Sequence, residues 1–228
     1  MAKSSPAPPP QAPFEGACIY KGMRAAEGAI ERVSIQDEDI SISTIGDKPA
    51  VGICGSGLID AVAALIKLGV IDSSGKMLTC AEAAHLPQGI AQRITEHEGK
   101  PAFALGSDVI LTQQDIREVQ LAKGAIRAGA ETLMQSMGLA ASDLDGVLLA
   151  GAFGSYIDKL SALEIGLLPD VSPEKIASVG NAAGAGASMA LMSAAARKNA
   201  EVLAAEVKHI ELSANPQFQE KYIEAMGF

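Results

Sequence analysis

The chain has 228 residues, 48% apolar and 20% charged, a composition that fits one globular core and argues against disorder or a membrane span. Its formal charge of −9, from 27 acidic against 18 basic residues, argues against a nucleic-acid partner, because such binding draws on clustered Lys and Arg. The acidity reads as a solvated surface, with a match to a basic partner as the alternative.

Cys18, Cys54 and Cys80 are odd in number and widely spaced, which fits reduced thiols of a cytoplasmic protein rather than a disulfide framework. Without a CxxC cluster, neither an iron–sulfur cluster nor a structural zinc is expected on this chain. Residues 1–13 carry five prolines and no apolar run, so they read as a Pro-rich tail and not as a secretory signal. Order is expected from Phe14.

Ile30 to Ile45 alternates apolar with polar residues, predicting two strands joined by a turn at Gln36 to Asp39. In VGICGSGLIDAVAALIKLGVID, Leu58, Val62, Leu65 and Ile66 recur at helical spacing behind a glycine-rich turn, which predicts a loop and then a helix with a buried face. Residues 72–101 are mixed and read as irregular, whereas FALG and DVILT predict a hairpin turning at Gly106 to Asp108. Thr112 with Asp115 forms an acidic capping box opening a helix of about 25 residues. Its expected apolar stripe comprises Ile116, Val119, Leu121, Ala122, Ile126 and Leu133.

The last third repeats a strand and helix pattern: DGVLLAG then Ser161 to Ile165, KIASVGN then Ala182 to Asn199, and VKHIEL then Pro216 to Met226. Such alternation predicts an α/β fold with a parallel sheet covered by helices on both faces.

Three glycine-rich motifs could carry chemistry. In LLAGAFGSYID the turn Gly151, Ala152, Phe153, Gly154 sits where a strand ends, the place at which open α/β sheets bind ligands, so a nucleotide's adenosine or phosphate fits there; the alternative is a plain tight turn. In VGNAAGAGASMAL, Gly184 and Gly186 each cost roughly 1 kcal/mol relative to Ala in a helix, which close packing against a neighbouring helix would explain. In GICGSG, Gly55, Ser56 and Gly57 open a helix able to receive an anion, or form a simple capped turn, but no GK[ST] ending follows. Cys54 reads as a buried thiol rather than a nucleophile. His85, His97 and His209 form no HxxxH or HExxH pair and GxSxG is absent, so neither metal hydrolysis nor serine catalysis is indicated, and the catalytic and metal sets are left empty.

Together FEGACIYKGMRAAEGAIE, VGICGSGLIDAVA, LTQQDIREVQLAKGAIRAG, LLAGAFGSYID with IGLLPD, VGNAAGAGA and the closing IELS(x)4FQEKYIEAMGF resemble the C-terminal domain of the ATP-dependent reductive activators of corrinoid proteins, over residues 14–228. The resemblance implies the superfamily of acetate and sugar kinases, heat-shock chaperone ATPases and actin, hence a ribonuclease-H-like, actin-like ATPase C-terminal half with a mixed sheet. It implies a parent enzyme that uses ATP with Mg²⁺, an N-terminal [2Fe–2S] ferredoxin domain, a corrinoid protein of a methyltransferase system as partner, and a homodimer. By resemblance Gly151 to Gly154 is the adenosine motif, Gly184 and Gly186 mark a hinge helix, and the helix bearing Arg117, Gln120 and Lys123 lies over adenine and ribose; on the residues alone those three could equally be a solvated face.

This sequence departs from the superfamily in lacking both acidic DxGT phosphate hairpins and the ferredoxin cysteines. The chain alone is therefore expected to be inactive, serving as one domain of an activator whose other parts lie in a missing N-terminal half or a separate subunit. The competing expectation is a nucleotide-free scaffold of the same fold, and a third is an independent enzyme using Cys54.

Overall fold

The structure, a computed structural model, describes residues 12–212 and 214–228. The expected tail falls outside these residues as far as Gln11, and the described chain enters through a 3-10 turn at Pro13–Glu15 that buries Phe14.

Strands β1 (Ala29–Gln36) and β2 (Asp39–Thr44) form the expected antiparallel hairpin, and β3 (Gly52–Ile53) joins β1 in parallel. The two-residue turn places Asp37 and Glu38 at φ of 48° and 62°, a left-handed conformation that such hairpins demand and that Asn or Gly would adopt with less strain. Helix α1 (Gly55–Lys67) follows, and every residue from Gly55 to Leu65 is buried, so all of the helix but its last two residues is core, beyond the single buried face that its periodicity implied.

Residues 72–101 are more ordered than expected. After a 3-10 turn at Glu82–His85 come α2 (Gln88–Ala91), β4 (Ile94–His97), β5 (Lys100–Ala104) and β6 (Ile110–Thr112); β5 pairs antiparallel with both β4 and β6. The β4–β5 connection is Glu98-Gly99, both at positive φ. That dipeptide between ITEH and KPAFA was the available signal, masked by the polar residues of β4.

Thr112 caps α3 (Gln113–Ser136) as expected: Asp115 N–H donates to Thr112 Oγ1 at 3.1 Å and Thr112 N–H donates to Asp115 Oδ2 at 2.7 Å. The other oxygen of Asp115 accepts from Tyr20 N–H at 2.7 Å, so the same carboxylate ties the entering chain to the helix start. The buried stripe of α3 differs from expectation. Ile116 and Val119 are buried, but Leu121, Ile126 and Leu133 are 42%, 47% and 49% exposed, while Gln120, Lys123 and Thr132 are buried in their place. The inward face meets backbone carbonyls, which require donors rather than hydrocarbon.

Strand β7 (Val147–Ala150) runs into α4 (Gly151–Tyr156) and α5 (Lys159–Glu164), so two short helices stand where one at 161–165 was expected. Parallel to β7 lies β8 (Ile176–Gly180), followed by α6 (Ala182–Met192) and α7 (Ala194–Glu206). The single helix expected over 182–199 is broken at Ser193, whose extended backbone ends α6 and whose hydroxyl caps α7 through Ala196 N–H. VKHIEL is not a strand: residues 207–212 lead off α7 without ladder bonds, and Leu212 comes to α3 at Gly129. Helix α8 (Pro216–Ala225) packs along α3, with Tyr222 and Met226 against Gly124. Helix α4 lies against β7 and β8, whereas α6 and α7 bury no residue.

One core joins these parts. Ile30 and Ile53, Leu58 to Leu65 of α1, Phe103 and Leu111, Ile116 and Val119 of α3, and Ala162, Ile165 and Ile176 belong to one buried cluster. Within it Asp60 of α1 is 4% exposed; its Oδ2 accepts from Val33 N–H at 3.3 Å and its Oδ1 has no hydrogen-bond partner among the described residues. Burial pushes this carboxyl above the usual range, Ser161 and Val33 N–H oppose that shift, and Asp158 adds to it. The folded chain thus holds a proton that the unfolded chain has released, so this residue costs stability as pH rises through its folded pKa. Asp60→Asn, which keeps the acceptor for Val33, is expected to raise Tm by a few degrees at neutral pH and to lose that advantage below about pH 3, where the Asp60 carboxyl is protonated in folded and unfolded chains alike; calorimetric melts at the two pH values check it.

Candidate functional site

A cavity of about 630 Å³ opens where the first turn of α1 faces the end of α4. Phe14, Met23, Arg24, Glu31 and Tyr156 line it together with Cys54, Gly55 and Ser56, a size and mixed lining that suit a small-molecule ligand. Of the three glycine motifs only GICGSG lines it, through Gly55 and Ser56; Gly151 to Gly154 are not among the lining residues, and α4 reaches the cavity with its last residue, Tyr156.

At the α1 side, proximity to β1 dictates the residues. A side chain at Gly57 would collide with the Ile30 carbonyl, so this glycine lets helix and strand backbones touch. Ser56 Oγ donates to Glu31 O at 2.9 Å, and Cys54 Sγ lies 3.4 Å from both Ile30 O and Ser56 Oγ. The Ser56 proton and the Cys54 thiol are thus turned onto β1; what α1 offers the cavity is the polar end of its backbone, whose first N–H groups lack intrahelical acceptors.

At the α4 side, Gly151 has φ of 94°, which requires glycine, and no atom lies within 4 Å of where its Cβ would be. Gly154 instead packs on Leu149. The side chains of Ala152 and Phe153 lie outside the description. Tyr156 is 68% exposed at the cavity edge; its place two residues after Gly154 was visible in the sequence, but nothing there distinguished it from a surface aromatic.

Arg117, Gln120 and Lys123 are gathered elsewhere, beneath the segment 226–228. Arg117 Nη1 donates to Ser74 O at 2.8 Å, and Gln120 Nε2 donates to Ser74 O at 3.0 Å and to Met226 O at 2.7 Å. Lys123, 1% exposed, donates from Nζ to Gly227 O and sits 4.9 Å from the centroid of the Phe228 ring. Phe228 N–H in turn donates to Ser73 O at 2.9 Å. Burial, with Arg127 nearby, lowers the Lys123 pKa to about 8. On α6, a side chain at Gly184 would strike Asn181, whose Oδ1 caps the helix by accepting Gly184 N–H at 2.9 Å. Gly186 has no atom within 4 Å of its Cβ position, so the neighbouring-helix packing expected at these glycines is not made there by the described residues.

No group of three or more His, Cys, Asp or Glu able to hold a metal occurs among the described residues. Cys80 donates to Ile94 O at 3.3 Å, Cys54 is buried and Cys18 exposed, so the thiols do not fit an iron–sulfur cluster, which takes four. No helix of the described residues is long and apolar enough to cross a membrane.

The sequence matches, over residues 1–228, the family described as the C-terminal domain of RACo, the ASKHA domain. Among curated proteins it is 37% identical over 217 residues to the corrinoid activation enzyme RamQ of Eubacterium limosum, covering 92% of this chain and 37% of that protein. It is 33% identical over 132 residues to the [Co(II) methylated amine-specific corrinoid protein] reductase of Methanosarcina barkeri, covering 58% of this chain and 20% of that protein. A solved structure, a reductive activator for corrinoid,iron-sulfur protein, superposes with a TM-score of 0.81 at 38% identity, covering 94% of this chain and 35% of that one. The chain thus spans little more than a third of the length of its better-covered relatives, and its mixed α/β structure has the actin-like ATPase fold of that family.

Two outcomes follow from the geometry. Gly57→Ala is expected to destabilise the fold by about 1–3 kcal/mol in urea unfolding, the usual cost of overpacking a tight contact. Because the folded chain releases the Lys123 proton near pH 8 while the unfolded chain holds it to 10.5, native stability should rise across that interval. The corresponding urea midpoints of Lys123→Met should lack this component of the rise.

Proposed function

Since the chain belongs to the family of RACo C-terminal ASKHA domains, we propose that it is the C-terminal part of a reductive activator that uses ATP to return a Co(II) corrinoid protein to Co(I), so that methyl transfer can resume. The observation that carries this reading is the match along the whole chain to that domain, joined to relatives whose names specify corrinoid activation and corrinoid protein reduction.

The cavity between α1 and α4 supports a nucleotide role. Its volume suits a ligand of that class, its Arg24 and the α1 N-terminus can meet phosphate, and its Phe14 and Tyr156 rings can meet a base. The nucleotide would bring the phosphoanhydride whose cleavage drives the reduction. The chain's own residues would bind and orient it: Gly57 holds α1 against β1 so that the helix N-terminus faces the cavity. The side chains that hold Mg²⁺ and position water in phosphoryl transfer would come from the remaining part of the activator, and the electron from its [2Fe–2S] domain. We assign a corrinoid protein of a methyltransferase system as partner, a cytoplasmic setting and a homodimer. A nucleotide-free scaffold is the second reading, favoured by the engagement of Arg117, Gln120 and Lys123 with the chain itself.

Isothermal titration of the chain with ADP and ATP separates the two readings. Saturable binding that weakens at least tenfold in Arg24→Ala supports the nucleotide role; no heat with either nucleotide favours the scaffold. The chain alone should show no Mg²⁺-dependent ATP turnover, and robust turnover would overturn that expectation. The activator role itself is checked by adding the upstream part of the parent protein and following Co(II) loss from a corrinoid protein by visible absorption, which should require both polypeptides and ATP.

A further inference from the structure

Between α1, β1 and the start of α5 lies a second cleft, of about 270 Å³, which shares no lining residue with the cavity at the α1 N-terminus. Asp60 stands in its wall beside Asp158 and Ser161, with Arg32 and Lys67 along it. Asp60 is 4% exposed; its Oδ2 accepts Val33 N–H at 3.3 Å, but its Oδ1 is enclosed and unpartnered among the described residues. Every other enclosed side-chain nitrogen or oxygen of those residues has a partner. An enclosed carboxyl oxygen in the wall of a cleft, met by no donor of the chain, marks a place for something that is not polypeptide.

The charges around the cleft decide what that is. From α1 come Asp60 and Lys67, from β1 Arg32, and from the start and body of α5 Asp158, Lys159 and Glu164. Lys67 is bridged to Glu164 at 3.5 Å, and Lys159 gives its Nζ to Pro173 O at 3.0 Å. Arg32 is then left with two carboxylates, Asp60 and Asp158, and one negative charge stays uncompensated. Asp158 is fixed in place, because its Oδ1 accepts Leu160 N–H at 2.9 Å and Ser161 N–H at 3.0 Å. A water molecule would meet the Asp60 oxygen but leave the charge. A divalent ion would exceed that charge, and Ca²⁺ asks for more carboxylates than the two present. A univalent cation matches the charge and accepts neutral oxygens, such as a hydroxyl and water, in the rest of its shell.

We propose that this cleft binds a univalent cation of the potassium or ammonium class, held by Asp60 Oδ1 and the Asp158 carboxylate with the Ser161 hydroxyl beside them. The ion ties α1 to the start of α5, and it is independent of any nucleotide. Burial and Asp158 raise the Asp60 pKa, so the proton competes with the ion and binding strengthens as pH rises through the folded value.

The test compares melts at pH 8 in KCl, NH4Cl, NaCl and choline chloride, each at an ionic strength of about 150 mM, choline being too large for the site. At least one small cation should raise Tm above the choline value by about 3–6 °C, as a dissociation constant of about 10 mM predicts for a chain of this size, and that response identifies the ion. The gain should shrink as pH is lowered toward 4. Asp60→Asn should melt at one temperature in all four salts, so the advantage expected for it above is full in choline and narrows in the binding salt. Thallium(I), a potassium surrogate observed by NMR, should broaden or shift on adding the native chain and stay unchanged with Asp60→Asn. Equal melting of the native chain in all four salts overturns the proposal and leaves the Asp60 oxygen to water. A thallium resonance that the native chain does not change, or a gain in Tm that Asp60→Asn keeps in full, overturns it as well.

Discussion

The contact between the first turn of α1 and strand β1 organises the molecule. The chain leaves β3, turns at Cys54 and enters a helix whose backbone touches the Ile30 carbonyl, which only glycine at position 57 permits. Helix α1 packs on β1 and α5, and its buried residues share one core with Phe103 and Leu111 of β5 and β6 and with Ile116 and Val119 of α3. The same contact fixes the direction of the helix, and therefore where its electropositive end points. Packing and ligand capacity come from one arrangement here: Gly57 serves the first, and the start of the helix, which borders the cavity, serves the second.

Much of this was legible in the sequence. Alternation at Ile30 to Ile45 located the β1–β2 hairpin, the Thr112–Asp115 spacing located the α3 cap, and the glycine motifs fell at strand and helix junctions as their residues required. Tertiary satisfaction escaped pattern reading. Leu121, Ile126 and Leu133 repeat at helical spacing yet face outward, because the opposite side of α3 must supply hydrogen bonds to Ser74, Met226 and Gly227. No local rule reveals that a lysine will be buried by residues roughly a hundred positions away. VKHIEL illustrates the converse failure: it has strand-like composition, but a strand exists only with a hydrogen-bonding neighbour, and its Leu212 finds α3 instead.

The candidate site was legible in fragments. Gly55 and Ser56 line one cavity, which the helix begun by the Gly151–Gly154 turn reaches only at Tyr156, a residue with no local mark. Arg117, Gln120 and Lys123, expected over a nucleotide or on a solvated face, each take a partner within the chain that a helical face alone cannot disclose.

The fastening of α3 also has a consequence for how the chain acquires its fold. Lys123 and Gln120 find their acceptors 104 and 106 residues later. At a synthesis rate of roughly 5–20 residues per second, those side chains wait on the order of 5–20 s after they are made before their acceptors have been added. During that interval the inward face of α3 is open and hydrated, with its lysine charged. Closing that face is a late event that dehydrates a cation, so a nascent chain keeps a polar seam, rather than a greasy one, exposed until residues 226 and 227 have been added.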